Sequence, residues 1–257
     1  MFHLALVTGA SSGLGKALSL ALAKQNVPLI LVARREDLLH ALASELPPST
    51  IVHRCDLSNP NDRKALIQLI HEKAPDLVIN NAGFGLYGLT LSQPLSELKE
   101  MVDVNIQALM EVTLEGARAL QNSKRKGTIL NISSAAAFFP FPTFSVYAAT
   151  KAFVNCFSEG LDAELQPRGI RVLTVCPGQV DTNFRKRASK GFPQKKDKLT
   201  MTPEKAATLI LEQIKKGRAL SIIDWRYRIL VALGKLLPKR VIMHSVLKRR
   251  LKDRYLE

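Results

Sequence analysis

Short apolar runs alternate along this chain with longer stretches in which apolar residues recur every three or four positions. Residues 4–8, 28–33, 50–55, 77–79, 128–132, 171–176 and 219–223 are such runs, each bounded by turn-forming residues, and predict buried strands. Helical periodicity covers residues 15–24, 36–46, 60–73, 96–122, 145–168 and 203–216, with Pro60 and Pro203 opening two of these segments. Strand and helix follow one another in strict succession. That order predicts an α/β fold, a parallel sheet covered on both faces by helices and joined by right-handed crossovers.

The pattern changes after residue 224. Two helices divided at Pro238 are expected, with Leu230, Leu233 and Leu237 as a stripe on the first. Ile242, Val246 and Leu247 do the same on the second, and Trp225 and Tyr227 stand at the start. Residues 225–257 hold ten Lys and Arg against Asp253 and Glu257, so they carry +8 of the chain's formal +15. A basic amphipathic segment reads as a contact for a membrane surface or a partner, or as an arm packed on its own subunit or a dimer mate. We expect one domain: residues 1–224 as its body and 225–257 as a helical extension. With 257 residues, 46% hydrophobic and 23% charged, the chain has ample core for that.

Composition narrows the class further. The chain opens on a strand-like run rather than a leader, and no apolar run approaches the ~18–20 residues that span a bilayer. Cys55, Cys156 and Cys176 form no Cys-x-x-Cys and no disulfide framework; they are expected as small buried groups in a reducing cytoplasm. The excess of positive charge points to anionic partners.

Candidate chemistry collects where strands end. Residues 8–15 read TGASSGLG between a strand and a helix, with Ser11, Ser12 and Leu14 among Gly9, Gly13 and Gly15. Such glycines permit a tight turn and let backbone N–H groups approach a pyrophosphate at a helix N-terminus. After the second strand, where an acid would hold the ribose hydroxyls of NAD, stand Arg34 and Arg35. A guanidinium there suits a 2′-phosphate, which predicts NADP(H). Asp56-Leu57, Asn80-Asn81-Ala82-Gly83, Ser133-Ser134 and residues 177–182 close later strands, and Asn105 lies mid-helix, where asparagine is a poor choice. Tyr147 and Lys151 are four residues apart, hence on one helical face. An ammonium beside a phenol favours the phenolate, and the pair is expected to act as a proton donor and acceptor with a lowered tyrosine pKa.

Taken together and in order, these motifs resemble the short-chain dehydrogenase/reductase family over about residues 3–224. The resemblance implies a Rossmann-type, doubly wound, seven-stranded parallel sheet and a homodimer or homotetramer. It implies that Ser134, Tyr147 and Lys151 are catalytic and that Asn105 completes a tetrad by holding a water linked to Lys151. Either Ser133 or Ser134 fits the serine; the family's usual separation from the tyrosine favours Ser134. It also implies that the glycine motif, Asp56, Leu57, Asn81, Ala82, Gly83, Pro177, Gly178, Val180 and Thr182 line the cofactor, with Tyr147 and Lys151. The activity implied is NADP(H)-dependent reduction of a ketone, or oxidation of the matching alcohol.

Phe138, Phe139, Phe141 and Phe144, with Phe84, Leu86 and Tyr87, suggest an apolar pocket. Residues 183–199 form either a solvated mobile loop or a basic lid, with Arg185, Lys186, Arg187, Lys190, Lys195, Lys196 and Lys198 against Asp197, the lid being suited to the phosphates of a coenzyme-A thioester or to an acidic carrier. The expected substrate is therefore an apolar or acyl-linked carbonyl such as a 3-oxoacyl thioester, handled in the cytoplasm or at a membrane surface. Nucleic acid is not an expected partner. The alternative is a non-catalytic NADP-binding regulator or a membrane-surface protein on the same fold.

Overall fold

A computed structural model of the chain describes residues 2–190 and 200–255, the last seven of these as backbone only. The strands are β1 (Ala5–Thr8), β2 (Leu29–Ala33), β3 (Ile51–Arg54), β4 (Leu77–Asn80), β5 (Gly127–Ile132), β6 (Ile170–Cys176) and β7 (Leu220–Ile222). They form one sheet in the order β3-β2-β1-β4-β5-β6-β7, every pairing parallel. The winding reverses between β1 and β4, and at such a point the crossovers leave a crevice beyond the strand ends.

The helices are α1 (Gly13–Ala23), α2 (Glu36–Ala43), α3 (Pro60–Lys73), α4 (Leu95–Val102), α5 (Leu109–Asn122), α6 (Ser145–Leu165), α7 (Asn183–Ala188), α8 (Pro203–Lys216), α9 (Trp225–Leu236) and α10 (Lys239–Tyr255). Two cores result from the pleat. Ala5 and Val7 of β1 join Leu29 and Leu31 of β2 in the core under α1, α2 and α8, while Leu6, Ile30 and Val32 face the core under α3, α5 and α6. All seven side chains are fully buried. Each large aliphatic one contributes about 1.5–3 kcal/mol on burial, so a one-residue register slip would invert both faces. The expected prolines fit their ends. The Asn59 side chain accepts from Asn61 N at 2.9 Å before α3, and Thr202 accepts from Lys205 N at 3.3 Å before α8.

Three expectations are corrected. Residues 96–122 are not one helix: α4 and α5 are separated by a π-helical turn, Asp103–Ala108, which contains Asn105. The Asn105 amide is drawn out of the helix surface into bonds with two other segments, and a single π turn accommodates that displacement. Cys55 and Cys176 are buried as expected, but Cys156 lies on the outward face of α6 and is exposed. The segment after Thr182 begins with α7 rather than loop, because the Thr182 hydroxyl caps it by accepting from Phe184 N at 3.3 Å. Lys195, Lys196, Asp197 and Lys198 of the expected lid lie outside the described residues. Among the described residues no helix is long and apolar enough to cross a membrane.

Candidate active site

The carboxyl ends of β1, β2, β4, β5 and β6 open into a cavity of ≈ 1170 Å³. That exceeds the ~300–1,000 Å³ of ordinary ligand sites, enough for a large ligand with a second one beside it. One end is lined by Gly9, Ser11, Ser12, Gly13 and Leu14 of the glycine turn, by Arg34 and Arg35, and by Asp56 and Leu57. Asn81, Ala82 and Gly83 form its middle. The other end holds Ser134, Tyr147, Lys151 and the loop with Pro177, Gly178, Val180 and Thr182. Of the catalytic and cofactor residues expected at the site, Gly15 and Asn105 lie behind the wall.

The glycine turn is built for close approach. Gly9 has φ +67°, and an added Cβ there would come within 2.9 Å of Asn81 Nδ2. A Cβ on Gly15 would lie 2.2 Å from the Gly9 carbonyl oxygen, so the turn closes only with glycine. The Ser12 side chain makes no cap hydrogen bond to α1 and instead accepts from Arg35 Nη2 at 2.9 Å; Ser11 Oγ accepts from the same nitrogen at 3.1 Å. Arg34 turns elsewhere: its Nη1 is 3.4 Å from Glu100 Oε1 and 3.7 Å from Asp56 Oδ2. The Asp56 carboxylate also accepts from Ser58 N and Oγ, and those bonds with the arginines hold its pKa below the usual range against the upward push of burial.

At the far end the Tyr147 ring is sandwiched. Phe144 stacks on it at 4.2 Å and Phe184 leans on it at 5.5 Å, while Tyr87 stacks on the other face of Phe144 at 4.1 Å. Thr143, a β-branched residue held at φ +64°, makes the turn that delivers Phe144 into this stack. Burial raises the Tyr147 phenol pKa well above its ordinary value, a hydrogen bond with the Ser134 side chain works against that, and Tyr87 and Cys176 add to the rise. Lys151 is 4% exposed; its Nζ donates to the Ile132 carbonyl at 2.8 Å and lies 5.8 Å from the Tyr147 ring centre. Burial lowers its pKa to about 8. The phenol pKa is thus raised rather than lowered as expected: desolvation of the phenol dominates, and the Lys151 ammonium donates to the Ile132 carbonyl.

Ser133 and Ser134 part company. Ser133 is buried and donates to the Lys151 carbonyl at 3.0 Å, tying α6 to the sheet, while Ser134 is the serine that faces the phenol. Asn105 is fully buried. It accepts from Phe84 N at 3.1 Å and donates to Phe84 O at 2.9 Å and to Thr150 Oγ1 at 3.1 Å. Its side chain thereby clamps the segment after β4 to α6.

The apolar wall is partly the predicted one. Phe84, Tyr87, Phe139, Phe141 and Phe144 line the cavity; Phe138 lies outside under Lys235, and Leu86 packs with Met101. Sequence reasoning missed Phe184 and the inner face of α9, where Leu230, Leu233 and Leu237 complete the wall. Their spacing was legible, but not that it faces the site. Tyr227 fixes α9 there, since its ring fills the space a Cβ on Gly178 would take and its hydroxyl accepts from Gln179 N at 3.3 Å. Arg187 of α7 stacks at 4.0 Å on Phe84 and reaches Glu100 at 3.4 Å, and Lys190 pairs with Glu97 at 2.9 Å, so α7 is tied to α4 over the cavity.

A Rossmann sheet with a glycine turn at one end of its crevice and a buried tyrosine and lysine beside a half-buried serine at the other defines a dinucleotide-dependent oxidoreductase. Residues 3–192 match the short chain dehydrogenase family, and the chain belongs to it. It is 35% identical over 182 residues to a serine 3-dehydrogenase of Rhizobium radiobacter, a match covering 70% of this chain and 72% of that protein. It is similar in structure to a short-chain dehydrogenase from Sphingobium yanoikuyae in complex with NADPH, at a TM-score of 0.80 and 30% identity over 91% of this chain and 94% of that one. It is also similar to the bulky-bulky ketone specific alcohol dehydrogenase from Comamonas testosteroni, at 0.76 and 26% over 91% and 93%.

Proposed function

We propose that this protein is an NADP(H)-dependent reductase of apolar ketones, acyl-linked ones included. The observation that carries the reading is one continuous cavity with a serine-bonded, neutral tyrosine at one end and a guanidinium on the glycine turn at the other. The residues fit a dinucleotide. Arg35 with Ser11 and Ser12 would hold the 2′-phosphate, the turn before α1 the pyrophosphate, Asp56 and Leu57 the adenine, and Lys151 with residues 177–182 the nicotinamide half. Bound there, the cofactor supplies the two-electron reducing equivalent.

The chain's own part is to meet the charge that grows on the carbonyl oxygen. Ser134 donates a hydrogen bond to it, and Tyr147 transfers its proton. A phenol held neutral by burial is in the state a proton donor requires. Its phenolate would be costly in so dry a site, and the buried Lys151 ammonium reduces that cost as the proton leaves. Asn105 holds the segment after β4 and α6 in register, so that Gly83 and Lys151 keep their places.

NADPH oxidation over a panel of aliphatic, aromatic and 3-oxoacyl-thioester ketones tests this. Turnover should favour bulky apolar substrates, as the Phe84, Tyr87, Phe141 and Leu233 wall implies; no turnover with any ketone would overturn the reading. For the cofactor, Arg35→Ala should raise the NADPH Kd about 10- to 100-fold and leave NADH nearly unchanged, since a charge-assisted contact is worth about 1.5–3 kcal/mol. Arg34→Ala should cost less, because that guanidinium is already shared by Asp56 and Glu100. Equal losses for both nucleotides on titration would remove the 2′-phosphate assignment.

A further inference from the structure

Of the ten large apolar side chains exposed among the described residues, seven lie between residues 225 and 241. Apolar exposure is thus concentrated on α9 and the turn into α10. The inner side of α9 is accounted for. Val231 is buried, Gly234 sits against Phe139 so closely that a Cβ would come within 2.5 Å of the ring, and Leu230, Leu233 and Leu237 line the cavity. The outer side is not. Trp225, Ile229, Ala232 and Leu236 follow a four-three-four spacing, which sets them in one line along the helix. Trp225 is 66%, Ile229 49% and Leu236 81% exposed, and none of them lines the cavity.

The charge around this stripe is of one sign. Residues 225–252 contain nine Lys and Arg and no Asp or Glu. The nearest acid, Asp224, is buried and already paired with Arg226 at 2.7 Å. Arg228, Lys235, Lys239, Arg240 and Lys248 are all exposed. An apolar line with a tryptophan at its end and cations beside it complements an anionic bilayer, where acyl chains take the apolar side chains and headgroups the charges. A second copy of the chain fits poorly. A two-fold contact through residues 225–252 would set an acid-free cationic segment against itself.

We infer that α9 and α10 seat this protein on an anionic lipid surface. The inference does not depend on the catalytic reading, because its readout is binding. Full-length protein is floated with phosphatidylcholine vesicles, with and without phosphatidylglycerol, at low and high salt. It should rise with the anionic vesicles only, and less at high salt. The triple variant Trp225→Ser, Ile229→Ser, Leu236→Ser should bind at least about tenfold more weakly, from the apolar area it removes. Lys239→Glu with Arg240→Glu should weaken binding by roughly fivefold or more per charge. Both variants should keep the wild-type circular dichroism spectrum and molar mass. Failure of the wild type to bind anionic vesicles, or equal binding by the serine variant, overturns the inference. So does a fall in molar mass of the serine variant by light scattering, which would make the stripe a subunit contact.

Discussion

Tyr147→Phe is expected to lower kcat about 10²- to 10⁴-fold while the NADPH Kd stays within roughly a factor of two, the range that follows from removing a general acid and nothing else. The phenol hydroxyl is hydrogen-bonded with Ser134, whereas the ring itself is held by Phe144 at 4.2 Å and Phe184 at 5.5 Å. Phenylalanine keeps that stack, so the wall and the cofactor path survive. Steady-state kinetics and a cofactor titration on the same preparation separate the two effects. A variant that turns over at the wild-type rate would end the assignment of Tyr147 as proton donor. One that loses NADPH binding would make the tyrosine a cofactor contact first.

Lys151→Met is expected to cost activity and add stability together. Its pKa falls from 10.5 to about 8 on burial, which corresponds to about 3 kcal/mol of destabilisation while both folded and unfolded states are charged. Losing the bond to the Ile132 carbonyl returns about 1 kcal/mol of that, so a net gain of about 2 kcal/mol is expected at pH 7. The sign with pH follows from the depressed lysine pKa. Between pH 8 and the unfolded value near ~10.4 the unfolded lysine binds the extra proton, so raising the pH removes the wild type's penalty. The variant's advantage should therefore be full below pH 8 and vanish by about pH 10.5. Urea denaturation of both proteins across that range measures it; a destabilised variant at pH 7 would show that the buried ammonium is not a strained group. Wild-type kcat/KM should decline above about pH 8 as the same ammonium loses its proton.

The short apolar runs became strands almost residue for residue, since a parallel sheet buries both faces and leaves residues 29–33 or 77–79 no polar alternative. The glycine turn was equally legible, because its demand is local: Gly9 at positive φ and Gly15 against the Gly9 carbonyl admit no other residue. Asn105 was legible as an anomaly but not as a clamp. Its partners Phe84 and Thr150 lie 21 and 45 residues away, and nothing in the helical period announces a π turn. The last helices show the same limit. The Leu230, Leu233 and Leu237 stripe was visible, but Tyr227 on Gly178 decides that it faces the cavity.

The chain's letters by themselves determined the order of strands and helices, the turn that favours a phosphate, and the one-turn spacing of Tyr147 and Lys151. These depend on neighbours within a few residues, where periodicity and backbone sterics act. The tertiary structure alone decided which arginine reaches the glycine turn and that the phenol is held neutral. Those outcomes depend on burial and on charges brought from afar, such as Glu100, 66 residues from the Arg34 it engages, and only the folded chain sets such distances.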